Sequence, residues 1–179
     1  FSPNFSNNRF FSKIPTQGDL VVFKTPADNR TDYIKRLVGL PGDEIQFING
    51  NLYINESLIP RRSVKISEPV RCGDYLLDTN SFIETLPNGV EHFVAYNADG
   101  TLKNTQKYKV PKGHYFLMGD NRDCSKDSRF LNDVGYVKNL NLVGEAKFIF
   151  FSNDTNKSRL LKFWNVQNSF RLERLFQGL

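Results

Sequence analysis

Two segments of this chain concentrate residue types that can do chemistry. The first runs Asp32-Tyr33-Ile34-Lys35-Arg36-Leu37-Val38 and on through Gly39-Leu40-Pro41-Gly42-Asp43. In a strand alternate residues share a face, so Tyr33, Lys35 and Leu37 point one way and Ile34 and Arg36 the other. A lysine flanked on its own face by an aromatic and an aliphatic side chain is a candidate for burial. Burial disfavours the ammonium and lowers its pKa, and the neutral amine can then act as a general base. A drop of ~2 units corresponds to roughly 2.7 kcal/mol against the charged form. An edge-strand lysine that lays its stem on the sheet and reaches water fits the same spacing and is the commoner arrangement.

The second segment is Gly119-Asp120-Asn121-Arg122-Asp123-Cys124-Ser125-Lys126-Asp127-Ser128-Arg129, directly after the apolar run Tyr115-Phe116-Leu117-Met118. Asp120, Asp123 and Asp127 can pair with Arg122 and Arg129, and Ser125 and Ser128 can both donate and accept. Residue types alone fit a cross-linked surface loop first and an active-site loop second. The Asp spacing also touches on a calcium loop, but the closing Glu and the regular ligand alternation are missing.

The elements that must position these segments are mostly strands. Short β-branched and aromatic runs at Leu20 to Lys24, Tyr33 to Leu40, Glu44 to Ile48, Leu52 to Asn55, Ser81 to Leu86, Val90 to Tyr96, Tyr115 to Met118 and Glu145 to Ser152 alternate with turn residues. Asn49-Gly50 marks a hairpin, because both residues adopt positive φ readily. Only Val166 to Phe176 has helical spacing, with Phe170, Leu172, Leu175 and Phe176 apolar. The fold class expected is therefore mainly β, with antiparallel sheets and a short C-terminal helix. Residues 49–107 read as a β-rich insertion into a discontinuous core formed by 1–48 and 108–179.

Composition narrows the partners. From Lys157 onward five basic residues face one acidic one, so most of the net charge of +5 belongs to the tail and the body is close to neutral. That argues against a nucleic-acid module, since no basic-aromatic stripe runs along the strands. The tail fits equally a helix packed on the core or a segment at an anionic membrane surface. His92 and His114 stand apart from any Cys or carboxylate cluster, so neither a metal nor another cofactor is expected. Two cysteines do not make a disulfide framework; one bridge is possible, and Cys124 reads as a free, partly buried thiol. The chain starts at Phe1, and its one methionine is Met118, which reads as a piece of a longer protein.

Taken together, Tyr33-Ile34-Lys35-Arg36, Gly39-Leu40-Pro41-Gly42-Asp43 and the Gly119-Asp120-Asn121-Arg122 loop with Ser125, Asp127, Ser128 and Arg129 resemble the type I (leader) signal peptidases. Gly18-Asp19-Leu20-Val21-Val22-Phe23 and the lead-in Pro111 to Phe116 resemble further boxes of that family, in the same order. The resemblance spans about Gly18 to Ser152 and includes an insertion of the size seen in Gram-negative members. It implies a membrane-bound Ser/Lys endopeptidase, monomeric, that removes signal peptides on the periplasmic side of the inner membrane. Lys35 would be the general base and Ser125 would hydrogen-bond and orient its amine. Asp127 and Arg129 would pair to hold the loop, with Asp120, Asn121 and Arg122 as its scaffold. The backbone of Asp32, Tyr33 and Ile34 would pair with the extended signal peptide, while Ile34 and Val22 would line shallow pockets for small residues.

The family's nucleophile lies in a Ser-Met-x-Pro motif upstream of the Gly-Asp box, and this sequence contains no such motif. Ser2, Ser6 and Ser12 have the wrong context, so the chain by itself is expected to be inert. Two other readings carry less. A pseudo-peptidase that only binds leader peptides has no need of Lys35 and Ser125. A self-cleaving repressor-type Ser/Lys protease lacks the Gly-Asp-Asn-Arg loop.

Overall fold

A computed structural model describes residues 14–65, 70–72, 75–97 and 103–147. The expected helix at Val166 to Phe176 lies outside these residues, as does the second half of the strand expected at Glu145 to Ser152. The strands are β1 (Leu20–Lys24), β2 (Asp32–Gly39), β3 (Glu44–Ile48), β4 (Asn51–Ile54), β5 (Ser57–Leu58), β6 (Arg61–Val64) and β7 (Val70–Cys72). They continue with β8 (Tyr75–Leu77), β9 (Thr79–Thr85), β10 (Glu91–Asn97), β11 (Tyr108–Lys109), β12 (His114–Met118), β13 (Val137–Lys138) and β14 (Leu142–Glu145). The protein is mainly β, and every strand-to-strand ladder among them is antiparallel.

The central sheet has the order β13-β12-β2-β1-β14. It brings together the two chemically loaded segments, because β2 carries Lys35 and β12 ends at Met118, one residue before the Gly119 loop. Its alternation explains its position between two cores. Leu37, Tyr115 and Leu117 join Val21, Phe23, Val137 and Leu142 on one side. Val38, Phe116 and Met118 join Ile45, Phe47, Leu52 and Ile54 on the other. Each such side chain contributes about 1.5–3 kcal/mol relative to exposure, so the register of β2 is firmly held. A slip of one residue would move Lys35 to the wrong face.

A second sheet, β11-β3-β4-β5, contains the expected hairpin: Asn49 and Gly50 have φ of 50° and 76°, and Ile48 pairs with Asn51. Its strands β3 and β4 pair across residue 48, where the sequence places the start of the insertion. The third sheet, β10-β9-β6, and the small β7-β8 hairpin lie wholly within residues 61–97. Strand β14 starts at Leu142, earlier than the periodicity indicates, because Leu142 is buried against Phe23 of β1 through a register shift. The short strands β5 to β8, β11 and β13 were not anticipated. β6 (Arg-Arg-Ser-Val) shows why: its partly exposed polar residues have no alternating apolar pattern to read.

Candidate active site

The loop that follows β12 is fixed by its own polar side chains. Asp127 is fully buried and accepts hydrogen bonds from Arg129 Nε and Nη2, both at 2.8 Å, and from the Gly119 amide at 3.0 Å. Ser128 folds back on β12, its hydroxyl accepting the Leu117 amide at 2.9 Å. At the loop's start, Asp120 takes both Nε and Nη2 of Arg36 from β2, at 2.8 and 2.7 Å, and Arg36 also donates to the Gly18 carbonyl. Planar fork pairs of this kind fix orientation as well as distance. The three boxes read from the sequence therefore meet at one point.

Arg122 behaves differently from the sequence expectation of a partner among the loop's own carboxylates. It is buried and pairs with Glu84 of β9, with Tyr96 and His92 completing the cluster. Asp123 instead accepts the Asn97 amide at 2.7 Å. Burial alone would raise the Glu84 carboxyl, but Arg122 and then His92 outweigh it and bring the pKa down to about 2. No local spacing links Glu84 to Arg122, so Glu84, His92 and Tyr96 had no signal in the sequence. The backbone adds to this junction: Ala95 donates to the Asp120 carbonyl and accepts from the Arg122 amide, forming a bridge at Asn121.

A covalent link also corrects an expectation. Cys124 is not a free thiol; it is disulfide-bonded to Cys72 of the β7-β8 hairpin, with a Cα–Cα separation of 5.6 Å. The partners are 52 residues apart, and only the folding of the β7-β8 hairpin onto the loop brings them within bridging distance.

Lys35 projects into a cavity of about 340 Å³ lined by Leu20, Ile34, Arg36, Asp120, Asn121 and Ser125, with Gly119 and Cys124 in its wall. Its amine stands 5.2 Å from the centre of the Tyr33 ring. Desolvation pushes the lysine pKa below its ordinary value, against the opposing pull of Asp127 and Asp120. Ser125 lies against Gly119: a Cβ added there would stand 2.1 Å from Ser125 Oγ and 3.6 Å from Lys35 Cδ. Only glycine leaves room for the serine beside the lysine. The Ser125 hydroxyl and Asn121 Oδ1 are both buried without a hydrogen-bond partner among the described residues.

The remaining expected residues sit along β1 and β2. Val22 stands opposite Ile34 in the β1–β2 register, while Leu20, passed over in the sequence, lines the cavity. Ile34 is 47% exposed. Leu37 donates to the Asp19 carbonyl and accepts from the Gly18 amide, so alternate residues Lys35 and Tyr33 also turn their backbone groups toward β1. Ile34 and Asp32 then turn theirs to the opposite edge. There β12 reaches only as far as Arg36, and among the described residues no strand continues past it. A desolvated amine thus lies in a cavity beside an open strand edge.

Comparison with known proteins shows the family. The family model described as signal peptidase, peptidase S26, matches residues 4–151. Signal peptidase I of Rickettsia conorii is 40% identical over 200 residues, covering 100% of this chain and 70% of the relative. Signal peptidase I of Rickettsia akari is 41% identical over 198 residues, with the same coverage. A crystal structure of a signal peptidase I from Enterococcus faecalis is 27% identical, covers 75% of this chain and 97% of its own, and aligns with a TM-score of 0.44. The chain belongs to the signal peptidase S26 family.

Proposed function

We propose that this chain carries the base and the substrate edge of a Ser/Lys signal peptidase that cuts exported preproteins after small residues. The observation that carries this reading is the desolvated Lys35 amine in one cavity with Ser125, beside the uncovered edge of β2. A signal peptide adds to that edge as an extended strand, pairing with the Ile34 backbone. The neutral Lys35 amine removes the proton of a serine hydroxyl as its oxygen attacks the scissile carbonyl. The resulting ammonium protonates the leaving amine; the neutral Lys35 amine then takes a proton from the water that hydrolyses the acyl-enzyme and returns it to the serine oxygen as the acyl bond breaks. The attacking serine belongs to a Ser-Met-x-Pro motif that this sequence does not contain. Ser125 shares the cavity with Lys35 and makes no hydrogen bond to it in this structure; its free hydroxyl is the group that would orient the amine when the two meet.

The Cys72–Cys124 bond supports work in an oxidising compartment such as the periplasm, where disulfides persist. The test uses the protein with its serine segment present. Lys35→Ala abolishes cleavage of a preprotein, whereas Ser125→Ala slows it by roughly 10–100-fold, since orientation is lost but the proton acceptor stays. Near-normal turnover by Lys35→Ala would overturn the assignment.

A further inference from the structure

The Gly119 loop also lines a second cavity. It measures about 180 Å³, well beyond the room one ordered water needs, and Asp123 and Arg129 of the loop form part of its wall. Across from them, Arg61 of β6 lies 4.6 Å from the ring centre of Phe82 and 4.8 Å from that of Tyr96. The two rings stand 5.9 Å apart and nearly perpendicular, so they flank the guanidinium from adjacent directions and hold the arginine in place. Its one hydrogen bond among the described residues goes to the Gly50 carbonyl at 3.1 Å. Its remaining N–H donors have no protein acceptor among the described residues, and a guanidinium fork is what carboxylates and phosphates read.

The other charges in the wall are committed or of the same sign. Arg129 is held by both oxygens of Asp127, and Asp123 accepts the Asn97 amide. Lys103 brings a second cation, with no carboxylate in ion-pair reach among the described residues. The lining therefore carries more positive than negative charge, with an arginine held rigid by aromatic packing. We infer that this cavity is a binding site for a small oxyanion, a carboxylate or a phosphate, gripped by the remaining donors of Arg61 and assisted by Lys103.

The site bears on the active centre through a short path. Arg129 holds Asp127, Asp127 accepts the Gly119 amide, and Gly119 packs on Ser125. An anion in the cavity adds negative charge beside the Arg129–Asp127 pair that anchors this path.

The test is amide NMR of the chain titrated separately with inorganic phosphate and with benzoate, at constant ionic strength set with chloride. Saturable shifts are expected at Arg61, Phe82, Tyr96, Asp123 and Arg129, extending to Gly119, with Kd on the order of 1 mM, about −4 kcal/mol. A response to benzoate alone assigns a carboxylate, and a response to phosphate alone a phosphate. Arg61→Gln removes the shifts. Arg61→Lys keeps the cation without the fork and, as a folded control, weakens binding several-fold. Shifts that fail to saturate by about 50 mM, about fifty times that Kd, that persist in Arg61→Gln, or that leave Gly119 unmoved would overturn the inference.

Discussion

Breaking the Cys72–Cys124 bond is expected to loosen the site and destabilise the whole domain. The bond closes a loop of 52 residues, and its outer end is the residue next to Ser125. In the chain-entropy treatment, a closure of this length restricts the unfolded state by about 4 kcal/mol. For a domain of this size each kcal/mol moves the thermal midpoint by about 2–4 °C, so reduction lowers it by roughly 8–16 °C. The assay is thermal unfolding of the chain followed by circular dichroism, with and without a thiol reductant, beside Cys72→Ser. The reduced protein and Cys72→Ser unfold at similar temperatures, and the reductant has no further effect on the variant. A midpoint that moves by less than about 2 °C on reduction would refute the reasoning, since it would leave the loop closure without the entropy assigned to it.

Three further outcomes follow from the site's geometry. Gly119→Ala forces Ser125 away from Lys35, because the new Cβ would stand 2.1 Å from its hydroxyl oxygen. Stability falls by about 1–3 kcal/mol, and pairing the change with Ser125→Gly restores the stability but not the cleavage rate. Glu84→Gln leaves Arg122 buried without its counter-charge and costs about 3–5 kcal/mol, measured by denaturant unfolding. Because the Glu84 carboxyl is depressed to about 2 in the folded protein from 4.5, its stabilisation is complete above 4.5 and is lost as the pH falls toward 2. The variant's stability lacks that acid-dependent component. Ile34→Pro removes an N–H that faces the open edge and not β1, so the thermal midpoint holds while KM for a preprotein rises and kcat changes little. A variant that unfolds instead would show that the Ile34 amide is used in the sheet.

The parts of this architecture visible in the sequence were those written in local patterns. The alternation of Val21, Phe23, Leu37 and Leu117 shows where β1, β2 and β12 lie, and Asn49-Gly50 shows the hairpin, because each signal involves neighbours in the chain. The Lys35 and Gly119 segments could be read as chemically loaded for the same reason. What brings them together could not be read from spacing. The Arg36–Asp120 pair spans 84 residues, Arg122–Glu84 spans 38 and the disulfide 52. Arg122 in particular has carboxylates within two residues on either side, yet its partner is a glutamate of β9. The fold decides which neighbour wins, by burying Glu84 and Arg122 together and leaving Asp123 to the Asn97 amide. Leu20 and Val22 share a face of β1, so spacing treats them alike. Only the cavity distinguishes them.

The most direct test of the account is the pH dependence of kcat/KM for preprotein cleavage by the enzyme with its serine segment present. If the Lys35 amine is the base, the rate rises about tenfold per pH unit on the acid side and levels off as the lysine loses its proton. The midpoint of that rise lies below the ordinary lysine value of 10.5, because desolvation disfavours the ammonium. A profile without an acid limb, or one whose limb falls in the carboxylate range near 4, would contradict the assignment of Lys35 as the base.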